Sequence, residues 1–432
     1  MASADDTFTL NLNLTPMKRF NLLLPILFIV SALASCHKGT TVQPNKGKDL
    51  TLNATQLQQA SADNTFSLNL FKTVSAGNPN SNNLFMSPLS VSIALGMTSN
   101  GAKGETLTAM QNTLDFKNFT QDQVNSYYKT LITQMPELDP NTTLKIANSI
   151  WYRQSFNVLP QFIQTESTNY KATVQALDFA NPSSVNTINN WVSNQTSGKI
   201  TKIVQSISPD DMMILINAIY FKSSWASKFD PANTTKQPFT LANNSQVQTD
   251  FMLGSAMACN VSNNTDANLV ELPYSNNKYS MVIVMPNGGK SVNDIAAEMD
   301  STTWQSWASR LGASEANITM PKFQFSYAVN LNNPLSTMGM GVAFSPLADF
   351  SNINGFGGLQ ITAVNHKAFV DVDENGTTAA AVTSVVIGVS AILNQQITID
   401  HPFIFVIREM KTGLIVFTGI VNDPTQRGGK FL

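Results

Sequence analysis

The chain has 432 residues, a formal net charge of −2, and only 12% charged residues. That charged share is about half of the roughly 25% found in average soluble proteins, so the surface is polar but weakly charged. No block of like charges is present, which excludes nucleic acid as an expected partner. The apolar share of 43% is sufficient for a large buried core.

The first 16 residues precede Met17, which is a second candidate for the first residue of the protein. Residues 2–13 (ASADDTFTLNLN) closely repeat residues 60–71 (ASADNTFSLNLF), and the sequence holds no third copy. A functional repeat array needs more units than this. We interpret residues 1–16 as a misassigned start or an extension left by duplication, with Met17 as the true start.

Residues 17–36 have the pattern of a bacterial lipoprotein signal peptide. A positively charged start precedes an apolar run over 20–34, and the letters LASC follow at 33–36. The run is too short for a comfortable membrane span. We expect secretion and lipidation of Cys36, with anchoring in the bacterial cell envelope at the outer membrane or cell surface. Cys259 is the only other cysteine, so an intrachain disulfide is excluded.

The next region predicts a flexible tether over 37–53. Residues 54–432 predict a single domain, because no linker or composition shift divides them. Its first half favours helices. Apolar residues at 66–74 share one helical face, and a Ser-Pro pair at 87–88 supplies an N-cap and a first helical residue.

Strands dominate the second half. Residues 143–152 and 212–221 are near-continuous apolar runs, which are typical of strands covered on both faces. Six more strand patterns follow between residues 268 and 421. Helices first and strands later, within one unbroken chain, predict a large α+β domain.

One stretch, residues 373–390 (DENGTTAAAVTSVVIGVS), fits no ordinary element. From Gly376 to Leu393 it holds no charge and no proline, and its small residues come first. A helix, a strand or a membrane span could have this composition, but its hydroxyl and glycine residues argue against a span. Either alternate set of side chains could be buried in a sheet without burying a charge, and every N–H is free for pairing.

No motif predicts an enzyme. Histidine occurs only at 37, 366 and 401, and the motifs of zinc proteases, serine hydrolases and phosphate-binding loops are absent. We therefore predict no catalytic residue, no metal and no cofactor.

Four long segments carry a family pattern: NLFMSPLSVSIALGMTSNGAKGET (83–106), INAIYFKSSWASKF (216–229), HKAFVDVDENGTTAAAVT (366–383) and HPFIFVIREMKTGLIVFTGIVNDPTQ (401–426). In order and at family spacing they resemble the serpins, a family of protease inhibitors. The resemblance implies a single serpin domain with three β-sheets, eight to nine helices, and an exposed reactive-centre loop between the hinge and the HPF segment.

The resemblance also implies a function. Inhibitory serpins act as suicide substrates: a protease cleaves the loop, and the segment after Glu374 inserts as a strand of the main sheet while the protease is held as a covalent acyl complex. The expected partner is therefore a target protease, and we expect a monomer. The alternatives are a serpin-fold binding or carrier lipoprotein without inhibition, and a surface-binding lipoprotein with no protease role.

Several residues match positions that govern insertion in the family. The hinge comprises Glu374, Gly376, Thr377, Thr378, Ala379, Ala380 and Ala381. Lys322 matches the ion-pair partner of Glu374, and Trp225 matches the aromatic residue of the breach, where insertion begins. The polar shutter cluster beneath the opening strands is matched by Ser87, Ser90, Asn217 and His366. We interpret His366 as a buried structural histidine without a catalytic role.

The expected reactive bond lies near the end of the uncharged stretch. Counting from Glu374 places it at Ser390–Ala391, whereas counting back from the HPF segment places it at Ala391–Ile392, and Val389 is a third candidate. All of these side chains are uncharged, so the sequence favours elastase-like or subtilisin-like serine proteases over trypsin-like ones. Papain-like cysteine proteases are a further possible target class.

Overall fold

The computed structural model describes residues 47–77, 83–377 and 395–427. Contacts divide the chain after Pro44, and every described residue lies in the second of the two units. The helices among the described residues are α1 (Ala54–Gly77), α2 (Pro88–Ser99), α3 (Gly104–Thr113), α4 (Gln121–Gln134), α5 (Pro160–Tyr170), α6 (Ser183–Gln195), α7 (Val292–Glu298), α8 (Ser301–Ala308), α9 (Asn332–Leu335) and α10 (Ser351–Asn354). None of them has the length and apolarity needed to cross a membrane.

The strands alternate with these helices and then dominate the second half. They are β1 (Asn83–Met86), β2 (Thr143–Arg153), β3 (Thr173–Leu177), β4 (Met213–Ser224), β5 (Thr235–Thr240), β6 (Gln246–Asn263), β7 (Ala267–Pro273), β8 (Tyr279–Pro286), β9 (Gly312–Pro321), β10 (Phe323–Asn330), β11 (Asn365–Asp373), β12 (Gly376–Thr377), β13 (Gln395–Thr398), β14 (Phe403–Glu409) and β15 (Ile415–Val421). This arrangement confirms the predicted α+β class.

Among the described residues, the strands form two hydrogen-bonded sheets. One sheet has the order β10-β11-β12-β4-β2-β3, and the other has the order β1-β15-β14-β8-β7-β6-β9-β13, with β5 attached to β6. The sequence resemblance implied three sheets. The count differs because β6, which is 18 residues long, joins strands into one hydrogen-bonded set. It pairs with β5 over 246–251, with β9 between Phe251 and Val261, and with β7 over 260–263.

The helix count is ten in the described part, against the eight or nine that the resemblance implied. Two of these helices, α9 and α10, have only four residues each, which accounts for the difference. The predicted start of α2 is present: Ser87 is the N-cap, its Oγ accepts a hydrogen bond from the Ser90 N–H, and Pro88 is the first helical residue. Almost all of α2 is buried, as its apolar sequence predicts.

The six-stranded sheet has a separate apolar cluster under α6. Ile188 and Val192 of α6 pack with Trp151 of β2 and with Ile216 of β4. Ile203, in the connection that follows α6, also belongs to this cluster. The main core lies among the other helices and both sheets. It contains the four α1 residues that the sequence placed on one helical face, and all four are fully buried: Phe66, Leu70, Phe71 and Val74.

The predicted tether is wrong for its last residues. Of the segment 37–53, the structure describes residues 47–53, which pack against the domain. Leu50 is 1% exposed, and the Lys48 N–H donates to the Leu138 carbonyl at 2.8 Å. The Asp49 carboxylate lies 2.7 Å from Lys278 Nζ. An apolar side chain with a pocket in the core explains the docking, which composition alone did not indicate.

Candidate functional site at the loop hinge

The hinge segment turns back into the sheet directly after β11. Antiparallel pairing joins Gly376 and Thr377 of β12 to the end of β11 on one side and to Ser224 and Ser223 of β4 on the other. Thr377 is 3% exposed. The family resemblance implied that the segment after Glu374 enters the sheet only after cleavage, but Gly376 and Thr377 of this segment are already inside it. We call this position, between β4 and β11, the hinge seat.

Below the hinge seat, β4 and β11 have no backbone pairing to each other in the described part of the chain. At the far end of the same two strands, a cavity of about 1160 Å³ is lined by residues 213–216 of β4 and 365–367 of β11. The connection after α6 contributes residues 203–206 to its wall. The edges of β4 and β11 beyond β12 are therefore not paired with each other, and there is open space between the far ends of the two strands.

Glycine is required at the first position of β12. Gly376 has a φ of +150°, and a Cβ placed on it would lie 2.1 Å from the Ser223 carbonyl oxygen. Any side chain would therefore push β12 away from β4, in addition to the strain of the positive φ. The Gly in the motif DENGTT is explained by this close approach.

Glu374 and Lys322 lie in contact. Lys322 Nζ is 2.9 Å from Glu374 Oε2 and 3.1 Å from Oε1, and the Thr234 hydroxyl donates to Oε1 at 2.6 Å. Burial by itself raises the pKa of Glu374, but the hydrogen bond from Thr234 and the Lys322 ammonium outweigh it, so that the pKa is lowered. An ionised Glu374 thus fixes the turn that leads into β12. No local sequence pattern had pointed to Thr234.

Trp225 lies against the same turn. Its indole Nε1 donates to the Asp373 carbonyl at 3.0 Å, and its backbone N–H donates to the Asn375 carbonyl at 2.9 Å. The indole stacks on Tyr274, with ring centroids 4.6 Å apart and an interplanar angle of 7°. The Tyr274 hydroxyl lies 2.6 Å from Thr377 Oγ1. Sequence reasoning missed Tyr274, because nothing in the local pattern connects residue 274 with residue 377.

The shutter residues are only partly brought together. The Ser87 N–H donates to His366 Nε2 at 3.0 Å, and Ser87 Oγ donates to the Val416 carbonyl at 2.7 Å. Burial lowers the pKa of His366 to about 4, so the imidazole is neutral and acts as an acceptor. Ser90 reaches the group only through its backbone N–H, which donates to Ser87 Oγ.

Asn217 makes a different contact. Its Nδ2 donates to Asn148 Oδ1 of the neighbouring strand at 2.6 Å, whereas its buried Oδ1 has no partner among the described residues. Asn217 nevertheless lines a cavity of about 40 Å³ together with Ser90 and His366. That volume is sufficient for a bridging water.

The remaining predicted positions lie outside the described residues. These are the hinge residues Thr378, Ala379, Ala380 and Ala381, the reactive-bond candidates Val389, Ser390, Ala391 and Ile392, and the lipidation site Cys36. Across the described ranges, no group of three or more His, Cys, Asp or Glu side chains is arranged to hold a metal ion.

Known proteins resemble this chain over most of its length. A family model described as "Serpin (serine protease inhibitor)" matches residues 61–424. The leukocyte elastase inhibitor of Homo sapiens is 32% identical over 380 residues, covering 85% of this chain and 100% of that protein. Iripin-8 of Ixodes ricinus is 33% identical over 380 residues, covering 84% of this chain and 93% of that protein.

Two solved structures show the same architecture. The thermophilic serpin tengpin in its native state has a TM-score of 0.77 and 32% identity, covering 87% of this chain and 96% of that one. Human thyroxine-binding globulin has a TM-score of 0.79 and 30% identity, covering 86% of this chain and 100% of that one. These likenesses confirm the fold that the sequence segments implied.

Proposed function

The chain belongs to the serpin family, and on this basis we propose that it inhibits endopeptidases as a suicide substrate. The observation that carries the proposal is the position of β12. Gly376 and Thr377 already pair with β4 and β11, whose edges beyond them are unpaired among the described residues. A loop that continues β12 would complete the sheet.

The proposed reaction begins as ordinary proteolysis. The protease hydroxyl attacks a loop carbonyl, the peptide bond breaks, the new amine leaves, and the upstream part of the loop stays bound as an ester. That part then extends β12 between β4 and β11. About ten new backbone hydrogen bonds at roughly 0.5–1.5 kcal/mol each, with apolar burial, supply on the order of 10 kcal/mol. Insertion carries the esterified protease away and distorts its active site before water hydrolyses the ester.

The sequence of the inserting segment supports this reaction. From Gly376 to Leu393 it holds no charged residue and no proline, so that neither face would bury a charge in the sheet. Thr377, the first residue whose side chain must be accommodated, is already buried. Strand addition to an open sheet edge is a general mode of recognition, and serpin loop insertion is one of its known cases.

We propose an elastase-like or subtilisin-like serine protease as the target, with papain-like cysteine proteases as a further class. The uncharged residues around Ser390 and Ala391 support this assignment, because a trypsin-like pocket requires Lys or Arg. Relatives whose names describe elastase inhibition support it further.

A carrier or binding function without inhibition is the second candidate. It is favoured by the likeness to thyroxine-binding globulin, which is named as a binding protein. The inhibitor and the carrier differ in their behaviour after loop cleavage. Only the inhibitor retains the protease covalently and gains thermal stability from insertion.

We also propose that the protein is secreted and anchored to the bacterial cell envelope by a lipid on Cys36, with a monomeric inhibitor domain outside the membrane. The signal-peptide pattern of residues 17–36 supports this localisation. Metabolic labelling with a radioactive fatty acid tests it. We expect label in the wild type and none in Cys36→Ser, with Cys259→Ser as the control that stays labelled.

The inhibitory function is tested by incubation with pancreatic elastase and with subtilisin. We expect an SDS-resistant complex, a rise in thermal stability after loop cleavage, and a released C-terminal peptide whose mass places the cut within 387–393. A loop that is cleaved without either the complex or the gain in stability would favour the carrier. A cut outside that range would show that the reactive-bond assignment is wrong.

A further inference from the structure

Asp139 is a buried carboxylate next to the hinge seat that the sequence did not single out. It lies in the connection between α4 and β2, and it is 2% exposed. It forms no ion pair with any described residue. Its charge is met by hydrogen bonds, which come from the Asn141 N–H at 2.9 Å, Thr142 Oγ1 at 3.0 Å, the Asn276 N–H at 3.3 Å, Asn276 Nδ2 at 2.9 Å and Ser275 Oγ at 3.5 Å.

One arm of this network reaches β4. Thr142 Oγ1 donates to Asp139 Oδ2, and it also lies 2.6 Å from Ser223 Oγ. A hydroxyl has one proton, so Thr142 accepts from Ser223 while it donates to the carboxylate. The carboxylate therefore fixes the orientation of both hydroxyls. Ser223 is the residue of β4 that pairs with Thr377.

The other arm reaches Tyr274. Asp139 accepts two hydrogen bonds from Asn276, in a turn where Ser275 and Asn277 have φ values of +32° and +58°. Such values are uncommon for residues with side chains and persist only where neighbours hold them. This turn directly follows Tyr274, whose hydroxyl contacts Thr377 Oγ1.

We propose that Asp139 is a positioning residue for loop insertion, a role that rests on the inhibitory function proposed above. It touches neither the protease nor the loop. It fixes Ser223, the β4 residue that pairs with Thr377, and the turn after Tyr274, whose hydroxyl contacts Thr377 Oγ1, so that β12 stays in the sheet before cleavage. Insertion then extends an existing strand and does not have to form its first pairs.

Loss of this carboxylate has a specific consequence for the reaction. The Thr142 hydroxyl loses its fixed orientation and the turn after Tyr274 loses its anchor. Gly376 and Thr377 then leave the sheet more often. After cleavage, the strand must first recover its position while water competes for the ester, so a larger share of the inhibitor is cleaved and released without trapping the protease.

Hydrogen exchange of the uncleaved protein tests the positioning role without any protease. We expect the amides of Glu374–Thr377 to exchange about five-fold faster in Asp139→Asn and in Thr142→Val. That factor corresponds to the loss of one hydrogen bond worth about 1 kcal/mol. Asp178→Asn is the matched control, because Asp178 accepts from the N–H two residues on, as Asp139 does, but away from the hinge. Exchange across β8 reports on the fold as a whole and should stay unchanged.

The second readout is the number of inhibitor molecules consumed per protease molecule trapped. We expect this number to rise several-fold in Asp139→Asn and Thr142→Val, with loop cleavage as fast as in the wild type. When either change is combined with Thr377→Val, the effect should be smaller than the product of the separate effects, since all of them act on one contact group.

Two results would overturn the proposal. One is unchanged exchange at Glu374–Thr377 in both variants, and the other is an increase spread equally over β8, which would indicate general destabilisation. If the wild type forms no SDS-resistant complex, the inhibitory function is contradicted instead. Amide exchange at Glu374–Thr377 would then be the only test of whether Asp139 holds β12 in the sheet.

Discussion

The Tyr274 hydroxyl lies 2.6 Å from Thr377 Oγ1, and both side chains are buried beside the end of β4. Tyr274 is in turn stacked on Trp225, which donates to the carbonyl of Asp373. One aromatic pair thus contacts both the turn before β12 and the last residue of β12. Gly376 and Thr377 are therefore already held in the sheet of the uncleaved chain.

Replacing Thr377 with arginine should convert the inhibitor into a substrate. Thr377 is buried in the hinge seat, and an unpaired guanidinium there would cost several kcal/mol. Insertion should therefore be blocked, while the loop should still be cleaved. We expect the ratio of cleaved free inhibitor to covalent complex to rise more than about ten-fold, measured on SDS gels. Thr398→Arg on the exposed side of β13 is the control. A covalent complex at wild-type stoichiometry in Thr377→Arg would contradict the insertion mechanism.

Gly376→Ala should expel β12 from the sheet. The new Cβ would lie 2.1 Å from the Ser223 carbonyl oxygen, at a φ of +150°. We expect faster amide exchange over Gly376–Thr377 and less covalent complex with elastase. Gly312→Ala is a suitable comparison, because a Cβ at Gly312 meets no neighbour within 4 Å. Equal behaviour of the two variants would mean that the close approach to β4 does not matter.

Asp63 should make the protein less stable as pH rises. Burial raises the pKa of Asp63 to about 7, although hydroxyls of Ser92, Tyr127 and Tyr128 lower it in part. Stability from the neutral carboxyl is therefore complete below the unfolded pKa of about 3.8 and is lost as pH rises to about 7. We expect Asp63→Asn to raise the unfolding temperature at pH 8 more than at pH 5. The exposed Asp122→Asn should show no such difference.

His366 should act in the opposite direction. Its pKa is lowered by burial to about 4, and its Nε2 accepts from the Ser87 N–H, which an imidazolium cannot do. Its contribution to stability is complete above pH 6.5 and is lost as pH falls towards about 4. We expect His366→Gln to flatten the fall in unfolding temperature over this window, while His401→Gln leaves it unchanged. The opposing trends of Asp63 and His366 overlap in the wild type, so the single variants are needed to separate them.

The docked segment 47–53 should stabilise the domain. Leu50 is 1% exposed, and the Thr51 N–H donates to Gln134 Oε1 at 2.9 Å. Truncation of a buried leucine costs about 2–5 kcal/mol where the site cannot relax, and less if the segment detaches. We expect Leu50→Ala to lower the unfolding temperature by several degrees. Leu57→Ala, at a side chain that is 49% exposed, should have little effect, and a similar loss in both variants would exclude a specific role for the docking.

The parts of the fold with strong local patterns could be predicted from the sequence. The apolar runs became β2 and β4, and the Ser87 cap begins α2. The polar strand β6 was missed, because its sequence, QVQTDFMLGSAMACNVSN, lacks a sustained apolar run or alternation. Its pairing with β5, β7 and β9 supplies the stabilisation that its own residues do not indicate.

The candidate site was predicted only where the family resemblance reached it. Glu374 and Lys322 lie in contact, and so do Ser87 and His366. Tyr274 and Asp139 escaped notice because their partners are distant in sequence, and a lone Tyr or Asp in a turn carries no periodic signal. Asn217 contacts Asn148 directly across a strand pair, which sequence spacing alone does not specify.

The pairing of Thr377 with Ser223 also sets how long a strand the proposed insertion could add beside β4. If a strand continued from Thr377 antiparallel to β4 without a bulge, this register would bring Ile387 opposite Met213, the first residue of β4. The added strand would therefore end just short of Val389, Ser390 and Ala391. If the protein inhibits as proposed, the length of β4 would set how far the captured protease is carried, and the few residues between Ile387 and the cut would connect the protease to the sheet.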